Sequence, residues 1–283
     1  MIGMNVAPLL GMPHVATLSV LRRRTQGLAL ALLLLQPAAG ARSESPGFAH
    51  ADWSRVLERF VDARGRVDYE GLATDREILD RYIRAVESVS PESHPDRFPT
   101  RGAELAYYVN AYNAQVVRLV LDRGPEKTSV WSGIPSGSQF FVKTRIEIGG
   151  KTTNLKQLED DVIRARYRDP RIHAALNCAS IGCPRLPRVA FEPVKLEAQL
   201  DAAMREFVSE SRNVRLDKKR STVFLSKIFD WFRQDFVAAE AEADRGNPDG
   251  GVLDFINRFR KDAPIPPGYR VEFLPYDKGL NKQ

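Results

Sequence analysis

The chain has 283 residues, 43% hydrophobic and 28% charged, with a formal charge of +6. That composition is ordinary for a globular protein, and the length suits one large domain or two small ones. Residues 1–41 carry Arg22, Arg23 and Arg24 and no acidic residue, so the balance without them is +3. No basic run with interleaved aromatics is present to track a phosphate backbone, which argues against nucleic acid as a partner.

The three arginines precede an apolar run from Gly27 to Leu35, then Gln36-Pro37 and the small residues Ala39-Gly40-Ala41. Basic, apolar and small-x-small segments in that order predict a secretory signal, cleaved after residue 41. The apolar run falls well short of the roughly 20 residues that span a bilayer as a helix, so no stable membrane anchor is expected after cleavage. No cysteine lies near the cleavage point to take a lipid. The region before Arg22 is long for a signal; a start at Met12 or a twin-arginine route would account for it. The expected location is periplasmic or secreted, where two thiols can form a disulfide.

Residues 42–52 read as linker, and 53–283 as a single globular domain. Trp53, Val56, Leu57, Phe60 and Val61 recur at helical spacing, and Arg64-Gly65 ends that helix. Val67-Asp68-Tyr69 reads as a short extended piece. A second amphipathic helix is predicted over 75–89, followed by a Pro-rich loop to Pro99. The strongest helix is predicted over 100–122, with a wide apolar face from Leu105 to Val120 and a Gly124-Pro125 stop. A Gly/Ser/Pro loop covers 130–139. The alternation over 140–148 predicts a strand, with a hairpin turn at Gly149-Gly150. Thr153-Asn154 caps a helix to about Tyr167.

Further helices are predicted over 196–209, 226–236 and 252–259. Short strands are predicted over 213–216, 221–225 and 269–274, with a loop over 244–251. The expected fold class is α+β: one compact domain, with several amphipathic helices on a small, mostly antiparallel sheet.

Several islands stand out in order. They are Val67-Asp68-Tyr69, Tyr108 to Ala114, His173 to Pro184, Ser226 to Trp231 with Asp235-Phe236, and Tyr276-Asp277 with Leu280-Asn281. Together they resemble the family catalogued as domain of unknown function 547, from about Trp53 to Asn281. The resemblance implies little about activity, because that family has no settled biochemical role. One departure is Lys278, where the family often has Trp in Tyr-Asp-Trp-x-Leu-Asn; it puts an aromatic contact there in doubt.

Candidate chemistry centres on Arg171 to Pro187, which holds the only cysteines, Cys178 and Cys183, and one of four histidines, His173. If 172–176 is a buried strand, His173 and Ala175 share a face and Cys178 sits at its end. One reading is a thiol-dependent hydrolase or acyl transferase. Cys178 would be the nucleophile, His173 its base, and Asn110, Asn113 or Asp235 would orient the histidine. The order departs from papain-like enzymes, which place the cysteine well before the histidine.

A second reading is a non-catalytic module for a small molecule or peptide, shaped by a Cys178–Cys183 disulfide. The spacing is not the Cys-x-x-Cys of thioredoxin-like enzymes. A third is zinc held by Cys178, Cys183 and His173, but no fourth ligand stands at a recognisable spacing. No calcium-loop pattern occurs, and no metal or cofactor is expected.

Asn110 and Asn113 share a helix side and either tether a neighbouring segment or line the pocket. Tyr112, Asn113, Asn177 and Ser180 are the candidate binding residues; Ser180 either meets an anion or satisfies its own turn. Phe229, Trp231, Phe232 and Phe236 read as core, with Asp235 beside them placed to pair with a histidine or arginine. His50 and His94 fall in predicted loop and receive no role, and His14 lies in the leader. The oligomeric state is not legible in the sequence.

Overall fold

The computed structural model describes residues 47–124, 126–131, 139–242 and 251–283. The leader with Ala39-Gly40-Ala41, most of the 130–139 loop and most of the 244–251 loop lie outside them. Glu44–Gln283 forms one unit.

The helices α1 (Ala51–Phe60), α2 (Tyr69–Thr74) and α3 (Glu77–Ser88) come first. Phe48 and His50 already pack on this layer. Phe48 meets Tyr82 of α3 edge-on at 6.0 Å, and buried His50 places Nδ1 2.8 Å from the Tyr82 hydroxyl. The packed body therefore begins before residue 53, inside the predicted linker. Burial lowers the His50 pKa to about 4, so the ring is neutral at ordinary pH. The predicted helix over 75–89 forms as α3, and a separate turn, α2, precedes it where no helix was predicted, capped by the Asp68 carboxylate, which accepts from Gly71 N–H.

Helix α4 (Arg101–Arg123) is the hub. The Thr100 hydroxyl caps it through Ala103 N–H, and Gly124, at φ 104°, ends it in a conformation that side-chain-bearing residues avoid. A one-sided apolar stripe was the expectation. Instead Asn110, Asn113 and Gln115 are as buried as their apolar neighbours, so other segments cover the helix on every side. The two asparagine amides are satisfied by backbone. Asn110 donates to Phe191 O at 2.8 Å and accepts from Phe191 N–H at 3.0 Å. Asn113 donates to Ala175 O and accepts from Asn177 N–H, both at 2.9 Å.

The predicted strand over 140–148 survives only as β1 (Ile146–Ile148), preceded by a helical turn α5 (Gln139–Val142). Phe140 and Phe141 are consecutive and both buried; a strand would turn one of them outward. Gly149 and Gly150, with φ 57° and 79°, make the expected hairpin to β2 (Lys151–Thr153). Asn154 caps α6 (Leu155–Gln157), which widens into a π-type turn over Leu158–Arg164 before α7 (Ala165–Tyr167). In that turn Ala165 N–H reaches Asp160 O, five residues back. Residues five apart lie about 140° apart on an α-helix at 3.6 residues per turn. The wider turn brings them to one face, with Leu158 and Ile163 inward.

Asp169 then caps a 3₁₀ turn, Pro170–Ala174, by accepting from Arg171 N–H. This corrects the predicted strand over 172–176: an Asp-Pro pair supplies a helix cap and a preset φ, which start a helical turn.

The remaining elements are α8 (Leu196–Ser209), β3 (Val214–Asp217), β4 (Thr222–Leu225), α9 (Lys227–Trp231), α10 (Arg233–Glu242), α11 (Val252–Phe259) and β5 (Arg270–Phe273). β4 lies between antiparallel β3 and parallel β5. The fold is α+β, but the small sheets are peripheral and α4 is central. One apolar cluster surrounds α4; a second joins α8, the three-stranded sheet and α11. Among the described residues, no helix is long and apolar enough to cross a membrane.

Truncating Asn113 would strand a buried carbonyl and a buried N–H together. We expect Asn113→Ala to cost about 2–4 kcal/mol, read as a lowered urea midpoint at unchanged m-value.

Candidate functional site

The segment after the 3₁₀ turn is held as a tight loop. The Asn177 side chain donates to Pro184 O at 2.7 Å and accepts from Ala179 N–H at 2.8 Å and from Asn281 Nδ2 at 3.2 Å. Asn281 in turn accepts from the Tyr69 hydroxyl at 2.8 Å. Arg212 donates to Cys183 O at 2.9 Å and to Ile181 O. Ala179 sits at φ 60°, a strained conformation for a residue with a Cβ.

Within this frame Cys178 and Cys183 form a disulfide, in agreement with the second reading of the sequence. Neither sulfur is then a thiolate, so in this state Cys178 is no nucleophile and the zinc reading lacks its sulfur ligands. Tyr276 places its hydroxyl 3.1 Å from each sulfur. Disulfide sulfurs carry no proton, so the tyrosine donates. Its ring presses on Gly182 so closely that a Cβ there would lie 2.7 Å from ring carbon Cε2.

A cavity of about 360 Å³ opens against the bridge, within the range of small-ligand sites. Trp131, Phe141, Val142, Leu176, Ile228, Trp231 and Phe232 supply apolar wall; Tyr112, Lys156, Glu159, Arg164, His173 and Tyr276 supply polar groups. Trp231 is 49% exposed and packs its ring 4.8 Å from that of Tyr276. It is therefore a cavity residue, where the sequence reading placed it in the core.

Glu159 and Arg164, five apart, both face the cavity because of the π-type turn. Glu159 keeps some surface open to the cavity and accepts from the Tyr112 hydroxyl at 3.2 Å. Burial, reinforced by the neighbouring Asp160 charge, raises its pKa to about 7 against the pull of Tyr112 and Arg164.

His173 does not serve a sulfur through Nε2, which lies 2.7 Å from Asp235 Oδ2. Asp235 also accepts from Arg164 at 2.8 and 3.0 Å. Burial opposes the charge on Asp235, but the hydrogen bonds from His173 and Arg164 outweigh it and hold the carboxylate well below its usual range. Burial lowers the His173 pKa despite Asp235, so the ring is neutral and Nε2 carries the proton it donates. His173 stacks on Phe232 at 4.0 Å, and the Arg164 guanidinium lies 4.9 Å from the centre of the same ring. The expectation that Asp235 pairs with a histidine or an arginine is met by both.

The predicted site residues thus separate. Cys178, Cys183, His173 and Tyr112 meet at the cavity. Asp235 supports it through His173 and Arg164. Asn110, proposed as an orienting catalytic group, has both amide atoms bonded to Phe191, and Asn113 is likewise taken up by the loop. Asn177 and Ser180 line a different hollow, of about 400 Å³, on the loop's other side. The Ser180 hydroxyl accepts from Trp131 Nε1 at 2.8 Å.

Sequence reasoning missed Glu159, although an acidic residue four after Leu155 and three before Val162 on an amphipathic helix marks it. It also missed Trp131, which no local pattern distinguishes. Lys278, the departure from the expected tryptophan, lays its ammonium 5.0 Å from the Trp131 ring centre. Among the described residues, no group of three His, Cys, Asp or Glu side chains is placed to hold a metal ion.

These features define an α+β domain with a disulfide-walled aromatic cavity. Over residues 96–208 the chain matches the family described as "Protein of unknown function, DUF547", which it resembles. That stretch holds α4, Glu159, His173 and the bridge, whereas Trp231, Asp235 and Tyr276 lie beyond it. No curated protein and no solved structure matches the chain.

Glu159 sets a pH dependence with a definite sign. With its folded pKa raised from 4.5 to about 7, its contribution is most favourable below pH 4.5 and is lost as pH rises to about 7. Glu159→Gln should leave stability unchanged near pH 4 and raise it near pH 8 by on the order of 2 kcal/mol, read from thermal melts at both pH values.

Proposed function

We propose that the chain is an exported binding module that takes a small molecule or short peptide into the aromatic cavity beside the Cys178–Cys183 bridge. The observation that carries this reading is the cavity wall itself. Seven apolar side chains line it together with the polar groups of Tyr112, Glu159 and Tyr276, and the adjoining cysteines are joined to each other. The ligand has an apolar or aromatic body for Trp131, Phe141 and Trp231 and a hydrogen-bonding end for Glu159 and the two tyrosines. Lys156 and Arg164 also line the cavity, but both are paired with Asp160, so the cavity is not a bare cationic site.

The bridge acts as wall more than as staple. Closing so short a loop contributes on the order of 2 kcal/mol in the loop-entropy model. The basic, apolar and small-residue pattern of residues 1–41 supports export to the periplasm or beyond, with release of the leader after Ala41. The hydrolase reading is less well supported, because it needs an open bridge and a histidine on Cys178, whereas Nε2 of His173 meets Asp235.

Titrating the protein with a set of indole- and phenyl-bearing fragments, followed by tryptophan fluorescence and thermal shift, tests the reading. Fragments that bind should lose about tenfold in affinity in Trp231→Ala, the loss of one good aromatic contact. If no fragment shifts either signal, or if Trp231→Ala and Phe141→Ala leave every affinity unchanged, the cavity is not the binding site. The mass of the mature N-terminus after expression in a bacterial host tests the export proposal.

A further inference from the structure

We propose that the Cys178–Cys183 bridge is a thiol–disulfide exchange site whose partner is a thiol bound in the aromatic cavity. This rests on the cavity being the binding site and names the class of ligand.

Four observations support it. First, the loop is held without the bridge. The Asn113, Asn177 and Arg212 side chains hold its backbone, and Asn281 N–H donates to Ala179 O at 3.0 Å, so a bond that adds little chain constraint is not needed for shape. Second, both cysteines are among the residues that line the cavity. Third, the two sulfurs are inequivalent. Cys178 is partly exposed while Cys183 is 4% exposed, which directs an incoming thiolate to Cys178 Sγ.

Fourth, the sulfur that must leave is already provided with donors. The Cys178 backbone N–H lies 3.0 Å and the Tyr276 hydroxyl 3.1 Å from Cys183 Sγ. Donors aimed where charge develops favour its development, and a better-stabilised thiolate leaves faster.

The chemistry balances. The ligand thiol gives its proton to the Glu159 carboxylate in the same cavity, a group suited to the exchange because its pKa is about 7. The ligand thiolate then attacks Cys178 Sγ. A ligand–Cys178 disulfide forms as the Cys178–Cys183 bond breaks, and Cys183 departs as a thiolate held by the two donors. A second ligand thiol attacks the ligand-side sulfur, releasing the ligand disulfide and leaving Cys178 reduced. Two ligand thiols are oxidised to one disulfide and the bridge is reduced to two thiols.

The test uses the oxidised, folded full-length protein, with phenylmethanethiol as probe and benzyl alcohol as its non-thiol analogue. After incubation at neutral pH the samples are quenched in acid, alkylated and mass-mapped. Expected is opening of the bridge in the folded protein, with the probe attached at Cys178. Tyr276→Phe should slow opening about tenfold, as loss of one hydrogen bond to a charged group implies. Cys183→Ser should trap the mixed disulfide at Cys178 when supplied with the oxidised probe, whereas Cys178→Ser should react at Cys183 at least tenfold more slowly.

A bridge that opens only after unfolding in guanidinium overturns the proposal, as does attachment predominantly at Cys183. If benzyl alcohol binds while the thiol leaves the bridge intact, exchange falls and the cavity reading stands. If neither binds and the bridge stays closed, both fall.

Discussion

The site depends on two asparagines buried in the middle of a helix. Asn110 and Asn113 sit where a mainly apolar helix would place aliphatic residues, and each holds both a backbone donor and a backbone acceptor of a distant segment. A buried amide left unpaired is costly, whereas one that satisfies two backbone groups fixes their position and direction. Asn113 thereby docks the loop carrying Cys178 onto α4, and Asn177 and Asn281 continue the same logic outward to Tyr69. The strained φ of Ala179 persists because the surrounding hydrogen bonds over-determine it.

On that scaffold the cavity is assembled from elements far apart in the chain. The π-type turn contributes Glu159 and Arg164, the loop contributes the bridge, α9 contributes Trp231, and the segment after β5 contributes Tyr276. The electrostatics follow from this assembly. Arg164 is shared between Asp160 and Asp235, leaving Asp235 charged and His173 neutral beneath Phe232. Glu159, five residues before Arg164, has Tyr112 as its hydrogen-bond donor and rises toward neutrality. The two carboxylates thus shift in opposite directions, because Asp235 is hydrogen-bonded to His173 and Arg164 while Glu159 is mainly desolvated.

Much of the frame was legible from residue pattern. Helices over 196–209 and 252–259 fall where their periodicity placed them, the Gly149-Gly150 hairpin forms, and the Asn154 cap starts its helix. The errors share a cause. Phe140-Phe141 and Ile172 to Leu176 are short apolar runs whose period is ambiguous, and neighbouring aromatics or an Asp-Pro cap decided them. The widening at Leu158–Arg164 left no sequence signature, and it is what turns Glu159 and Arg164 to the same side.

By itself the sequence determined the α+β class, the long helix over 100–122 and the pairing potential of its two cysteines. These depend on local periodicity, caps and the scarcity of particular residue types, all readable along the chain. Which groups meet was decided only in three dimensions. His173 meets Asp235 across 62 residues, and Tyr276 meets Cys178 across 98. Such contacts follow from how the helices and loops pack around α4, and side-chain spacing along the chain carries no record of that packing.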